Sequence, residues 1–284
     1  MKKSKKTTTT FKVMLAHPYG NKEFDKDSFI QPKLDGIRCY ITKDGAFSRN
    51  HKEFKTVDHI KDAFKPLFET HPNIIVDGEL YNHQFKRNFN KIISLVKKQK
   101  PTKEELKEAV KYIQFHWYDY YSDIHNYPFK IRNENIQSKI EDLRARHIVE
   151  VPTHEVSTIG DAKLWHEDFL KQGYEGSIIR LNKPYEQKRS YNLQKFKDFQ
   201  DSEATITGWV EGQGKRIGTI GKFLARDAEG NEFGMPVMAH YKTMEKMYDI
   251  ADWYIGKTAT FTYFQRTPSG SYRHPLYKCI RNYE

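Results

Sequence analysis

Cysteine is scarce in this chain of 284 residues: only Cys39 and Cys279 occur, and no C-x-x-C pair. That excludes a disulfide framework and a cysteine-rich metal centre, and it suits a reducing compartment. No apolar run approaches the ~20 residues that span a bilayer, so no membrane partner is expected. No segment repeats. A dinucleotide fingerprint is missing as well, because Gly212, Gly214 and Gly218 have the wrong spacing and lie in a hairpin pattern. Residues 1–10 are lysine-rich and then run through four threonines. They lack the apolar stretch of a secretion signal and are expected to be a disordered basic tail.

Charge and aromatic rings are plentiful. Lys and Arg number 48 against 37 Asp and Glu, a net charge of +11, which favours a polyanionic partner such as nucleic acid. Hydrophobic residues at 37% and aromatics at 14% suffice for a globular core, and the length suits one or two domains. The chain is organised around Lys33-Leu34-Asp35-Gly36-Ile37-Arg38. Asp35-Gly36 reads as a turn between an apolar entry at Phe29 and Ile30 and a strand from Cys39 to Thr42. The segment is therefore expected to be a hairpin with Lys33 at a strand end. A Lys and an Arg sharing one pocket suit a polyphosphate, and a lysine there that gives up its proton can attack phosphorus.

Farther along, Val57 to Phe68 has helical spacing that Pro66 should end or kink. Ile74 to Tyr81 reads as a buried strand with two carboxylates. Asp77, before Gly78, fits an exposed turn acid, whereas Glu79 needs a cation, a metal or a hydroxyl. Phe85 to Lys100 reads as a helix with one wet face, and Thr102 with Glu105 marks the start of another. Ile113 to Tyr121 is an aromatic strand, in the simplest case core, in which one ring could platform a base. Alternation puts Tyr118 and Tyr120 on one face and Trp117 on the other. Phe129 to Arg146 reads as a helix, Val149 to Val156 as a strand, and Asp161 to Lys171 as a helix closing at Gly173. Glu175 stands at the entrance to a buried strand, and a cationic loop with Lys183, Lys188 and Arg189 follows it. Leu193 to Phe199 is expected to be a strand with Lys195 and Lys197 on one face and Phe196 on the other. From Asp201, short strand-like runs and one helix near Met244 to Trp253 give the pattern of a small barrel of about five strands.

Seven strings stand in order: KLDGIR at Lys33, SRN at Ser48, DGEL at Asp77, WYDY at Trp117, EGSIIR at Glu175, LQKFKDF at Leu193 and GSYRHPLYKCIR at Gly270. With them the chain resembles, from Leu15 to Arg281, the small viral and bacteriophage ATP-dependent DNA ligases of the covalent nucleotidyltransferase superfamily. The resemblance implies an α+β fold. A nucleotidyltransferase (adenylation) domain of antiparallel sheets with flanking helices would occupy 11–200, and an OB-fold β-barrel 201–284. It implies that Lys33 attacks the α-phosphate of ATP to give a lysyl-AMP phosphoramide. Glu79 would hold the ribose, and Tyr118 would stack on adenine where the family usually has Phe. Glu175 would bind Mg2+ or Mn2+, and Lys195 and Lys197 would neutralise the α-phosphate. Arg38 and Arg49 would grip phosphates, including the 5′-phosphate of a nick, with Arg189 nearby, and Arg281 in the last motif would join the ATP site. Lys215, Arg216 and Lys222 of the barrel hairpin are expected on DNA.

The implied partners are ATP and nicked double-stranded DNA, bound by a monomer in the cytoplasm or in the interior of a host cell. One departure stands out: Val210 to Thr219 leaves no room for the long hairpin with which some small viral ligases clasp DNA. Three alternatives remain: an RNA ligase, a capping-type guanylyltransferase, and a non-catalytic nucleic-acid-binding OB protein. The set Lys33, Glu79, Glu175, Lys195 and Lys197 speaks against the last, since simple binding does not need it.

Overall fold

The computed structural model describes residues 11–20, 27–196, 200–263, 265–267 and 270–281; the basic tail over 1–10 and Lys197 lie outside the described residues. Two compact units divide between Phe196 and Lys197. In the first, the chain runs β1 (Leu15–Pro18), β2 (Ser28–Pro32), β3 (Ile37–Thr42), β4 (Gly45–Ser48), α1 (Asp58–Ala63), α2 (Lys65–Thr70), β5 (Ile75–Tyr81), α3 (Phe89–Val96), α4 (Lys103–Tyr112), β6 (Gln114–Tyr121), α5 (Phe129–Leu143), β7 (Ile148–Glu150), β8 (His154–Val156), α6 (Ile159–Gln172), β9 (Ser177–Leu181) and β10 (Arg189–Phe196).

The expected hairpin around Lys33 does not form. Strand β2 belongs to the sheet β1-β10-β9-β2-β8, and β3 to the sheet β4-β3-β5-β6-β7. Residues 33–36 therefore cross from one sheet to the other. Gly36 is needed there for close approach: a Cβ would lie 2.6 Å from both Glu79 Cγ and Leu80 O on β5. Both sheets are antiparallel except at one edge pair each, β1 with β10 and β6 with β7. The single strand expected over Val149 to Val156 is also two: β7 pairs with β6 and β8 with β2, in different sheets. Pro152 lies between them and has no N–H to continue a ladder.

Helix ends follow local chemistry. The break between α1 and α2 falls at Phe64, so Pro66 sits in the first turn of α2, where its missing N–H costs nothing. Helix α3 is shorter than its periodicity suggested, because Asn88 caps it by accepting from Lys91 N at 3.2 Å. Thr102 and Glu105 form the expected capping box of α4. Gly173, at φ 92°, closes α6.

Each sheet sends its large apolar side chains outward to helices. Ile60, Phe64, Ile92 and Ile136 pack against Phe115 and Trp117 of the second sheet, and Ala162 and Phe169 of α6 against Ile30 and Ile179 of the first. The alternate residues point between the sheets and are polar: Gln31 and Arg180 from one, Asp77 and Asp119 from the other, all buried. A site opens in that polar layer.

In the second unit the chain runs β11 (Gln200–Glu211), β12 (Ile220–Arg226), β13 (Glu232–Pro236), α7 (Tyr241–Asp249), β14 (Thr258–Tyr263), β15 (Gln265–Arg266), β16 (Tyr272–Arg273) and β17 (Leu276–Ile280). The antiparallel sheet β13-β12-β11-β14-β17 has the five strands expected. Among the described residues no hydrogen-bonded pair joins β13 to β17, so the barrel is not closed. Ile206, Phe223, Met235 and Phe261 form its core, with Met244 and Met247 of α7 over them. The β11–β12 connection spans only 212–219 and holds one 3-10 turn at Gly214–Arg216.

Candidate active site

A cavity of about 170 Å³ lies between the two sheets, lined by Lys33, Arg38, Glu79, Tyr118, Arg180 and Lys195 among others. The crossing segment is clamped to the loop before β9: Lys33 N donates to Gly176 O at 2.8 Å, and Glu175 N donates to Lys33 O at 3.0 Å. That double clamp brings the Glu175 carboxylate, 5% exposed, into an ion pair with Lys33 Nζ. Glu175 stands behind Lys33 and outside the cavity lining, so it holds the ammonium while the lysine faces the cavity.

Glu79 reaches the cavity from β5. Burial pushes its carboxyl up to about 8, against the opposing pull of Lys33 and Arg38, so it is protonated at neutral pH. Tyr118 OH donates to Glu79 Oε2 at 3.4 Å. On β6 the expected alternation breaks down. Asp77 pairs with Asp119 and Gly78 with Trp117, which leaves Tyr118 as the extra residue of a β-bulge. Trp117 is fully buried in the core. Tyr118 faces the cavity. Tyr120, expected beside it, points through the opposite face, where Asn135 Nδ2 donates to its OH at 2.8 Å. A cavity of about 390 Å³ lies on that side, lined by His71, Tyr120, Tyr127 and Lys139 among others. It is larger, but it holds none of the residues selected from sequence.

One assignment made from sequence changes. Asp77 is no exposed turn acid: it is fully buried within β5. Arg38, expected to grip phosphates, makes a two-point ion pair with it, Nε to Oδ1 at 3.0 Å and Nη2 to Oδ2 at 2.5 Å. Tyr185 OH also donates to Asp77 Oδ2, at 2.7 Å. Sequence reading missed a second such cluster. Asp119 Oδ1 accepts from Arg132 Nε at 2.6 Å, and its Oδ2 from Arg180 Nη1 at 2.7 Å. Burial alone would raise the Asp119 carboxyl, but the two guanidiniums outweigh it and hold it below the ordinary range. Asp119 and Arg180 both fall inside motif strings. Ionic residues within otherwise apolar strands were the signal that could have found them.

The remaining residues are spread out. Lys195 faces the cavity while Phe196 packs on the other side, 5.1 Å from Tyr19 by ring centroids. Arg49 is exposed in a neighbouring groove of about 590 Å³ that shares Arg38 and Glu79 as a wall. Arg189, expected in a loop, is the first residue of β10 and donates to Ala16 O at 2.5 Å. In the second unit Arg281 pairs with Glu203. Lys215 and Lys222 are exposed. Arg216, expected on the same surface, turns inward, where its Nη2 donates to Val237 O at 2.9 Å. Among the described residues no group of three or more His, Cys, Asp or Glu could hold a metal ion.

Residues 13–197 match the model of the ATP dependent DNA ligase domain, and residues 211–281 that of the DNA ligase OB-like domain. The chain belongs to the ATP-dependent DNA ligase family. It is 31% identical over 214 residues to the DNA ligase of African swine fever virus (strain Badajoz 1971 Vero-adapted), a match over 70% of this chain and 48% of that protein. The chain thus spans about half the length of that relative. The DNA ligase of Haemophilus influenzae is 24% identical over 276 residues, 93% of this chain and 90% of that one. A solved Lig E DNA ligase superposes with a TM-score of 0.77 at 23% identity, over 96% of this chain and 100% of its own. The chlorella virus DNA ligase-adenylate gives 0.52 at 23%, over 96% and 99%. These likenesses establish the fold: a mixed α+β unit followed by an OB-like one. Among the described residues no helix is long and apolar enough to cross a membrane.

Proposed function

We propose that this chain is a monomeric ATP-dependent ligase that seals 3′-OH/5′-phosphate nicks in duplex DNA, with a nucleotidyltransferase domain over 11–200 and an OB domain over 201–284. The observation that carries the reading is Lys33, clamped at the crossing between two sheets and ion-paired to Glu175, facing a cavity that also holds Glu79, Tyr118 and Lys195. Lys33 Nζ gives up a proton and attacks the α-phosphorus of ATP. The N–P bond forms, the bond to the bridging oxygen breaks, and pyrophosphate leaves. The nick 5′-phosphate then takes AMP from the lysine, and the 3′-OH displaces AMP to close the strand.

Tyr118 gives the adenine a shelf, and neutral Glu79 can both donate to and accept from a ribose hydroxyl. Lys195, with Lys197 as its partner two residues on, meets the charge that builds on the α-phosphate. Arg38 is fixed by Asp77 and shapes the wall between cavity and groove, whereas exposed Arg49 suits the 5′-phosphate. Arg189, Lys215 and Lys222 would meet the DNA backbone. Arg216 is left out, since it serves its own unit's packing. Glu175 is the carboxylate that would hold a divalent cation, Mg2+ or Mn2+. The cation would screen the charge of the triphosphate.

The test is sealing of nicked duplexes with DNA or RNA on each side of the nick, with ATP as the only nucleotide. Sealing of the all-DNA nick is expected. Sealing confined to RNA would reassign the chain to RNA ligation, and, in a separate incubation with labelled GTP or ATP, label taken from GTP instead of ATP would reassign it to capping chemistry.

A further inference from the structure

Arg180 is 4% exposed on β9 and lines the cavity. Desolvating a guanidinium costs several kcal/mol, and an apolar residue of similar size would often hold a fold as well or better. The reason for an arginine here must therefore lie in what it touches. Its fork reaches four side chains. Nη1 donates to Asp119 Oδ2 at 2.7 Å, and Asp119 is fixed from the other side by Arg132 of α5. Nε donates to Gln31 Oε1 at 2.6 Å. The guanidinium carbon lies 4.9 Å from the centre of the Phe129 ring and 5.2 Å from that of the Tyr118 ring.

Gln31 and Tyr118 belong to the two ends of the proposed chemistry. Gln31 is two residues before Lys33 on β2, and its Nε2 donates to Thr153 Oγ1 at 2.8 Å, so its amide is held from both sides. Tyr118 is the bulged residue of β6. No residue stands directly across the ladder from it, so its ring depends on side contacts for its angle. We infer that Arg180, anchored by Asp119, is a positioning residue that sets the Tyr118 ring and the strand leading into Lys33 relative to one another. A planar fork can bridge the two, and the point charge of a lysine cannot.

The inference rests on the proposed ligase chemistry, and the experiment separates the two. Arg180→Met and Arg180→Lys are made in the full chain. The Michaelis constant for ATP and the rate constant of self-adenylylation are measured, together with inhibition by inorganic tripolyphosphate, which engages only the lysine-rich end. Loss of a charged hydrogen bond and a ring contact should raise the constant for ATP by ~10-fold in Arg180→Met. Arg180→Lys should resemble it, while the inhibition constant of tripolyphosphate stays at the wild-type value. A merely structural role would weaken ATP and tripolyphosphate alike, and that result overturns the inference, as does an unchanged constant for ATP in both variants. If Arg180→Met fails to fold, Arg180→Lys carries the same comparison. Wild-type protein that takes no label from ATP overturns the ligase reading itself, and the inference with it.

Discussion

In the first unit Arg38, Arg132 and Arg180 meet Asp77 and Asp119 in the dark between two sheets. In the second unit Arg226, Arg266 and Lys278 meet Glu232, Glu229 and Asp201 at the surface. The difference is physical as well as geometric. Exposed pairs gain about 0–1 kcal/mol and weaken with salt. Buried pairs recover at best their own desolvation, yet removing one partner leaves a charge stranded. The first unit therefore uses charge to hold a cavity in one shape. The second keeps most of its charge where a polyanion can reach it.

The largest effect should come from breaking a buried cluster. Asp119→Ala strands two guanidiniums and should cost about 3–5 kcal/mol in urea unfolding, whereas Glu232→Ala at the surface should cost no more than about 0.5 kcal/mol. Equal losses would erase the contrast between the units. Next in size is a contrast along β6. Trp117→Ala empties a core position and should cost about 3–5 kcal/mol of stability. Tyr118→Ala should cost less stability but raise the ATP requirement of self-adenylylation more. The reverse ranking would move the stacking role to Trp117.

A smaller effect sharpens the account of burial. The Glu79 carboxyl, ordinarily near 4.5, is held at about 8 in the fold. The folded chain thus keeps a proton that the unfolded chain releases, so stability is lost as pH climbs from about 4.5 through about 8. Glu79→Gln should flatten that decline, measured as urea midpoints across the range; an unchanged slope would show that Glu79 ionises freely in the fold. The smallest effect belongs to the second unit. If Lys215 and Lys222 each neutralise a phosphate, replacing both by Gln should reduce the slope of log affinity against log salt by about 2 for nicked DNA. An identical slope would place the DNA contact elsewhere on the chain.

Much of the candidate site was legible because the proposed chemistry needs particular residue types, and these stand in short strings. Lys33, Glu79, Tyr118 and Lys195 could be named from short strings, and the structure brings them to one cavity. What sequence concealed was pairing across distance. Asp77-Gly78 has the local look of a turn, yet Arg38 and Tyr185, far off in the chain, make it a buried strand. Lys33 to Arg38 looks like a hairpin because nothing local tells a reversal from a crossing between sheets. Strand alternation fails at Tyr118 because a bulge adds a residue that periodicity cannot register. Arg216 looks like its neighbour Lys215, and only the fold turns it inward.

The central claim is that Lys33, held by Glu175 at the crossing, is the nucleophile. Incubating the protein with α-labelled ATP and magnesium, then resolving it on a denaturing gel, tests it directly. The account predicts label on wild-type protein that acid releases and alkali does not, as a phosphoramide requires, and none on Lys33→Ala. Stable label on Lys33→Ala would contradict it.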